Sequence, residues 1–445
     1  MRQQGRPGRW TRKGSVDPLT PFIKEKVPHS HIIGAGLAGL ACAVALARHG
    51  IRSTLYESGP AAGGRCRSYF DRVLGCRIDN GNHLLLSGNS ATMAYLDTTG
   101  ARDTIGGSGL PRFPFVDLAT GERWTVAPDL GVIPWWMFRR DRRVPGTRLR
   151  DYLALLALRR AGADATVAEA LGPDGALYRR LLEPLAVAAL NTPPELALAR
   201  LLRTVVDQTL LKGGRACIPC LPREGLSESF IDPAVAWLGS RGGRLRTGCR
   251  VAALHQENRL VTALETADGM MPVGAGEAVV LAAPPWVAEE LLPGLVAPDE
   301  FQAIVNLHFG VAADPGEAGL LGVLGGTAEW IFIKPGIVSV TISAANRIVD
   351  RPAEALAALV WPDVRAALRL EAAMPPVRVV KERRATFAAT ATQERRRPGP
   401  RWVAEAGLLH NLVLAGDWTS TGLPATIEGA IRSGDAAADA ILDGA

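Results

Sequence analysis

The sequence predicts an α/β protein in which a Rossmann-like parallel sheet is interleaved along the chain with an α+β domain built on a mixed or antiparallel sheet. Three observations carry this. A strand, glycine turn, helix and second strand occupy residues 31–65; a buried strand followed by a helix closes the chain over residues 411–434; and between them Ile304 to Gly310 and Ile337 to Ser343 alternate like strands of a half-covered sheet.

The first unit reads HIIGAGLAGLACAVALARHGIRSTLYESGPAAGGR. Gly34 lets the chain turn tightly after the strand, Gly36 lets the backbone press against a pyrophosphate, and Gly39 lets the helix pack close to the strand. The helix, expected from Leu37 to His49, is rich in Ala and Leu and ends at Gly50, a favoured residue just past a helix end. Its first amides, at Leu37 and Ala38, therefore face the phosphates with the positive end of the helix dipole behind them. Glu57 closes the second strand 18 residues beyond Gly39, where a carboxylate accepts hydrogen bonds from the ribose hydroxyls and repels a ribose phosphate, which disfavours NADP. Gly64 and Arg65 follow, one allowing close backbone approach and the other able to reach the diphosphate or to order the loop. Strand, helix and acid in register make this a dinucleotide site, which a glycine triplet alone in a chain of 48 glycines would not.

A chain of 445 residues suits two domains. No run approaches the roughly 20 apolar residues of a membrane-spanning helix, so any membrane contact is expected to be peripheral. Residues 1–30 carry seven Arg and Lys against Asp17 and Glu25, which accounts for most of the net charge of +6. The basic balance thus belongs to an expected disordered tail, and it gives no reason to propose nucleic acid as a partner. The tail lacks the apolar stretch of a secretory signal, and six scattered cysteines suit free thiols in a reducing cytoplasm. Cys217 and Cys220 form a lone CxxC in an apolar setting, without the second ligand pair of a zinc site, and read as packing.

Beyond the first unit, Ile78 to Leu86 is a polar knot, Asp79-Asn80-Gly81-Asn82-His83, running into an apolar strand. Short strands are expected around Phe113 to Val116 and Arg123 to Val126, and helices over Thr147 to Arg160, Thr166 to Leu171 and Leu177 to Leu190. Between them, Ile133 to Arg143 sets aromatic residues beside positive charge. That segment suits either an interfacial membrane anchor or an aromatic cluster lining a pocket. Arg244 to Val251 and Ala278 to Pro285 read as strands that extend the nucleotide sheet. At the C-terminus, Asn411 to Asp417 is a buried strand ending in Gly416-Asp417. Asp417 could accept a hydrogen bond from a ribityl hydroxyl, and the helix start near Ile427 could offer amides to the pyrimidine oxygens of a flavin. NAD has no ribityl chain, so this second site points to FAD.

With both ends read, the chain from about His31 onward resembles the flavin-containing amine oxidase and phytoene desaturase superfamily, and more narrowly is similar to the hydroxysqualene dehydroxylase family, the squalene-associated FAD-dependent desaturases. The narrower likeness rests on Asp79 to Leu86, Pro134-Trp135-Trp136, Arg143 to Thr147, Ala189 to Pro193, Ile304 to Phe309 and Ala415 to Gly429. Asn82 departs from it, since Gln is expected there. The resemblance implies a GR2-type FAD-binding domain over residues 31–104, 212–290 and 405–445, with Val251 among the cofactor contacts, and a substrate domain over 105–211 and 291–404. It implies reduction of hydroxysqualene, a C30 isoprenoid alcohol, to squalene in squalene and hopanoid biosynthesis, by hydride from reduced flavin in an apolar cavity. His83, placed beside the flavin by the resemblance, is the first candidate acid for the leaving hydroxyl and His308 the second.

Other activities stay open on the same residues. A phytoene-type desaturase would run electrons the other way, and the electron donor is not legible. An amine oxidase would want more aromatic residues than Trp418 at the C-terminal site. A non-catalytic prenyl-binding protein of the same fold would not need the intact glycine triplet, Glu57, Arg65 and Asp417.

Overall fold

The computed structural model describes residues 27–444, so the basic tail expected over residues 1–30 lies outside the described residues up to residue 26. From Val27, which is buried, the chain belongs to the fold, and β1 (His29–Ile33) starts two residues before the expected domain boundary. The glycine turn leads into α1 (Leu37–Arg48), past whose His49 cap Gly50 turns the chain with φ of +76°, and β2 (Arg52–Tyr56) follows. These two strands sit inside a five-stranded parallel sheet in the order Arg244–Arg246, β2, β1, Ala278–Leu281, Leu412–Leu414.

The side chains of this sheet alternate between two apolar layers. Ile32, Leu55 and Val280 pack beneath α1 and the C-terminal helix (Ile427–Leu442), while Ile33, Val279 and Leu281 face a small antiparallel sheet of Val251–Glu257, Leu260–Thr266 and Gly269–Pro272. Both faces are covered, as near-continuous apolar strands require. The two helices approach so closely that a Cβ on Gly434 would lie 2.3 Å from the Ala38 carbonyl oxygen.

The second domain is a seven-stranded mixed sheet in the order Val377–Phe387, Phe301–Phe309, Ile337–Ile342, Trp330–Lys334, Leu320–Leu324, Phe113–Asp117, Arg123–Val126. Every pairing is antiparallel except Leu320–Leu324 with Phe113–Asp117. One face, with Val305, Leu307 and Ile331, packs on the helix Ala353–Leu368. Opposite positions, including Trp330 and Phe332, join an apolar cluster with the helical segment that runs from Leu149 to Gln208.

Several elements differ from expectation for local reasons. The strand expected over Arg244 to Val251 is two strands in two sheets, because Gly248 (φ +65°) turns the chain between them. The strand at Ala278 stops at Leu281, and Pro285, at a helix start where its missing N–H costs nothing, opens the helix Pro285–Leu291. The helix expected over Thr147 to Arg160 is a 3-10 segment, Leu149–Leu153, followed by one turn, Ala154–Ala157. The strand after the polar knot is only Leu85–Leu86, paired with Pro219–Pro222.

Candidate active site

One cavity of about 1330 Å³ lies between the two domains. It exceeds the usual 300–1,000 Å³ of a site for one small molecule, so there is room for a long cofactor and a long substrate together. Gly34, Glu57, Ala282 and Gly416, each just past the C-terminal end of a parallel strand, line one end of it, which is where open α/β sheets bind ligands.

At that end the glycines divide their labour. Gly34 has φ of +105°, and a Cβ there would lie 2.6 Å from the Ala282 carbonyl oxygen; a Cβ on Gly39 would lie 2.1 Å from the Gly34 carbonyl oxygen. These two let strand, loop and helix touch. Gly36 differs, since a Cβ there would meet nothing of the protein within 4 Å and would project into open space beside α1. Such clearance at a helix N-terminus is what an approaching diphosphate requires. Gly63 hydrogen bonds through its N–H to the Ala35 carbonyl and bridges to Gly36. This brings Gly64 alongside, so that a Cβ placed on it would lie 3.6 Å from the Gly36 Cα.

Of the expected cofactor contacts, Gly34, Gly36, Leu37, Ala38, Glu57, Gly64, Arg65, Val251, Gly416, Asp417 and Ile427 all line this cavity. Gly39 does not, because its place is in the packing of α1 on the turn. Glu57 is fixed by the N–H groups of Ala35 (3.1 Å) and Gly59 (2.8 Å), which orient its carboxylate at the mouth of the glycine loop. Arg65 donates to Asp417 Oδ1 at 2.7 Å and to the Ala385 carbonyl at 2.5 Å. It thereby ties the first unit to the last and both to the second domain. Gly416 (φ +155°) leaves space for the indole of Trp418, which folds back and donates to the Ala283 carbonyl at 3.0 Å.

Two residues that sequence reading passed over hold this end together. Arg397, buried within a run of arginines, donates to the carbonyls of Asp417 and Thr419 and to Thr421 Oγ1, and pairs with Glu394 at 2.7 Å. Glu428, in the first turn of the C-terminal helix, accepts from the N–H groups of Ala91 and Thr92 and so caps the helix Ser90–Thr99. Each is recognisable only through partners distant in sequence.

The other end of the cavity is apolar, with Phe115, Trp136, Tyr152, Leu182, Trp330 and Phe332 among its walls. The aromatic segment expected as either an anchor or a pocket wall is split between the cavity and the surface. Trp136 is buried and meets Tyr152 edge-on at 5.4 Å, whereas Trp135 and Phe138 are each 62% exposed. Where the two ends meet, Asn82 Nδ2 donates to Thr341 Oγ1 (3.1 Å), which donates to Asn306 Oδ1 (2.8 Å).

The two candidate histidines separate here. His83 lines the cavity, and its ring has no hydrogen-bond partner among the described residues; burial lowers its pKa from the ordinary value, with Asp79 opposing and Arg65 adding to the shift. His308, the second candidate, does not reach the cavity. It shares the strand of Asn306 but lies two residues further along, with Nδ1 hydrogen bonded to Ser339 Oγ at 2.8 Å, and burial pushes its pKa down to about 4. It is a neutral structural side chain rather than an acid at the site.

The flavin containing amine oxidoreductase family profile matches residues 37–314 and 332–442. The chain is 47% identical to hydroxysqualene dehydroxylase of Rhodopseudomonas palustris over 415 residues, covering 93% of this chain and 98% of that one. It is 44% identical to hydroxysqualene dehydroxylase of Zymomonas mobilis, covering 93% and 99%. Among solved structures, cyclohexylamine oxidase from Brevibacterium oxydans superposes with a TM-score of 0.67 at 16% identity, covering 94% of this chain and 99% of that one, and putrescine oxidase bound to putrescine with 0.65 at 14%, covering 94% and 99%. At such identities the structures speak for the fold alone.

The burial of His308 has a consequence for stability. A histidine whose folded pKa is about 4 stays neutral while the unfolded chain, near 6.5, takes up a proton, so the unfolded state binds more protons between these values. Stability is fully present above about pH 6.5 and falls by up to about 3 kcal/mol as pH drops toward 4. Urea unfolding of His308→Gln measured against pH should show a flatter profile in that window than the parent chain.

Proposed function

The chain belongs to the flavin containing amine oxidoreductase family, among the hydroxysqualene dehydroxylases, and from that premise we propose that it reduces hydroxysqualene to squalene in its cavity. It is an FAD-dependent oxidoreductase. The observation that carries the substrate reading is the large cavity, polar at the glycine end and apolar at the other, with the polar group of Asn82, Thr341 and Asn306 where the two meet.

The residues at the nucleotide end fit FAD. The open face at Gly36 and the free amides of Leu37 and Ala38 would hold the diphosphate, Glu57 the ribose, Val251 the adenine side, and Asp417, on release from or together with Arg65, the ribityl hydroxyls. The start of the C-terminal helix at Ile427 would offer its amides to the isoalloxazine. When bound, the reduced flavin supplies a hydride to the allylic carbon. The chain's own work is then threefold: it holds the C30 chain dry against aromatic walls, orients the hydroxyl through Asn82, Thr341 and Asn306, and provides a proton for the leaving oxygen from His83. Aromatic faces such as those of Trp330 and Phe332 stabilise positive charge that develops at the allylic carbon without offering a nucleophile.

An apolar substrate must reach this cavity through water or from a bilayer. No helix among the described residues is long and apolar enough to cross a membrane. Val132, which lines the cavity, is 69% exposed, and around that opening stand exposed Ile133, Trp135 and Phe138 with Arg139 and Arg140 beside them. Leu149 and Leu153 are exposed on the adjoining segment, whose Tyr152 faces inward. An apolar rim with flanking guanidinium groups favours peripheral docking on an anionic membrane surface on the cytoplasmic side, with the cavity mouth opening toward the acyl chains.

Anaerobic incubation of the holoenzyme, its flavin reduced chemically, with hydroxysqualene should yield squalene and oxidised flavin in equal amounts; recovery of the alcohol unchanged contradicts the substrate assigned here. The parent chain should co-sediment with vesicles containing anionic lipid, and Trp135→Ser with Phe138→Ser should weaken that binding about tenfold or more while flavin content is kept, since burying one large apolar side chain is worth about 1.5–3 kcal/mol.

A further inference from the structure

A second cavity, of about 210 Å³, lies on the far side of the polar knot. It shares three lining residues with the main cavity: Asn82, His83 and Phe332. Its other walls mix apolar residues, among them Leu221, Pro222, Ala318 and Ile333, with charged ones. Asp79, Lys334, Arg223 and Glu317 contribute to them, with Lys334 Nζ donating to Asp79 Oδ2 at 2.8 Å and to the Glu224 carbonyl at 3.2 Å. Glu317 is largely exposed, and so the polar wall continues to the surface. With these polar groups on its walls, a cavity of this size has room and partners for ordered water.

The reaction proposed above demands a proton, and an exit for water, at the apolar end of the main cavity. The C–O bond breaks with its electron pair going to oxygen, hydride takes its place at carbon, and the oxygen must gain a proton to leave as water. Each turnover therefore consumes one proton and releases one water molecule inside an apolar space. We propose that the small cavity is a water-filled side channel that delivers this proton to His83 and accepts the water formed, with His83 as the gate between the two compartments. This rests on the substrate reading above.

The geometry and the chemistry agree. His83 faces both cavities, and its ring is unpaired among the described residues, which leaves one nitrogen free to take a proton from water as the other gives one up. Burial lowers its pKa and so favours the neutral ring, whose single N–H, once given to the leaving oxygen, must be replaced in every cycle. The charges that face it are Asp79 and Arg65; behind Asp79 lie Lys334 and the buried His308. Lys334 fixes Asp79, whose other oxygen accepts from Ser68 Oγ and the Leu226 N–H, so the carboxylate steadies a transient charge on His83 and does not swing into the channel. Asp79 and Lys334 are thus positioning residues, and His83 is the group that touches substrate.

The test is to fill the side channel from the side away from substrate. Leu221 and Pro335 line it and are absent from the lining of the main cavity, and Pro335 is exposed. Holoenzymes carrying Leu221→Trp or Pro335→Trp, each checked for parental flavin absorbance and unfolding midpoint, should show kcat for squalene formation lowered at least about tenfold, an unchanged KM, and a larger solvent deuterium isotope effect on the single-turnover rate. Imidazole should restore activity to His83→Ala but not to His83→Ala with Leu221→Trp. Parental rates and isotope effects in both filled variants overturn the side channel while leaving the substrate reading intact. Failure of the parent chain itself to form squalene overturns the substrate reading and this proposal with it.

Discussion

The close packing of two helices at Gly434 is the constraint on which the rest depends. Helix α1 follows the first parallel strand and the C-terminal helix follows the last, nearly the whole chain apart. A side chain at Gly434 would collide with the Ala38 carbonyl and the Cβ of Ala41, so the contact between the helices is backbone to backbone. Because both helices rise from strands that run the same way in one sheet, their N-termini emerge at the same edge and open on the same cavity. The Arg65–Asp417 pair, at 2.7 Å, closes this arrangement across the cavity floor. A single long nucleotide can then be held at both ends by dipoles and amides that the fold has already oriented.

The second consequence is a division of polarity. Parallel strands deliver backbone amides and carboxylates to one end of the cavity, while the mixed sheet delivers alternate side chains of Trp330 and Phe332 to the other. Period-two alternation places Ile331 in the opposite core, so one strand builds both a structural layer and a substrate wall. At the junction of the two halves the polar side chains satisfy one another, in the chain from Asn82 through Thr341 to Asn306. Unpaired polar atoms would cost more there than at the nucleotide end.

Legibility in the sequence followed the range of the interactions. The turn at Gly34, the helix after it and the acid at Glu57 are determined within one βαβ unit, so spacing alone places them. The C-terminal strand and helix are likewise local. Arg397 and Glu428 act on the Asp417–Thr421 loop and on the Ser90–Thr99 helix through contacts that no window of sequence contains. The extended reading of Arg244 to Val251 failed because Gly248 turns the chain inside the run, and a short run does not announce its turn. Trp135 and Trp136 are adjacent and chemically alike, yet one faces solvent and the other the cavity; only the 3-10 geometry of that segment decides which. His83 and His308 were equally eligible by residue type. Their difference lies in placement, which puts His308 against Ser339 and leaves His83 at the cavity wall.

One extended nucleotide lying between the two helix starts is what all of this requires, and a structure of the chain with FAD bound measures that directly. The diphosphate should lie within hydrogen-bond distance of the Leu37 and Ala38 amides over the open face of Gly36, with the ribityl chain against Asp417 and the isoalloxazine near Ile427. A flavin seated elsewhere, or one that touches the glycine loop without approaching Asp417, would contradict it.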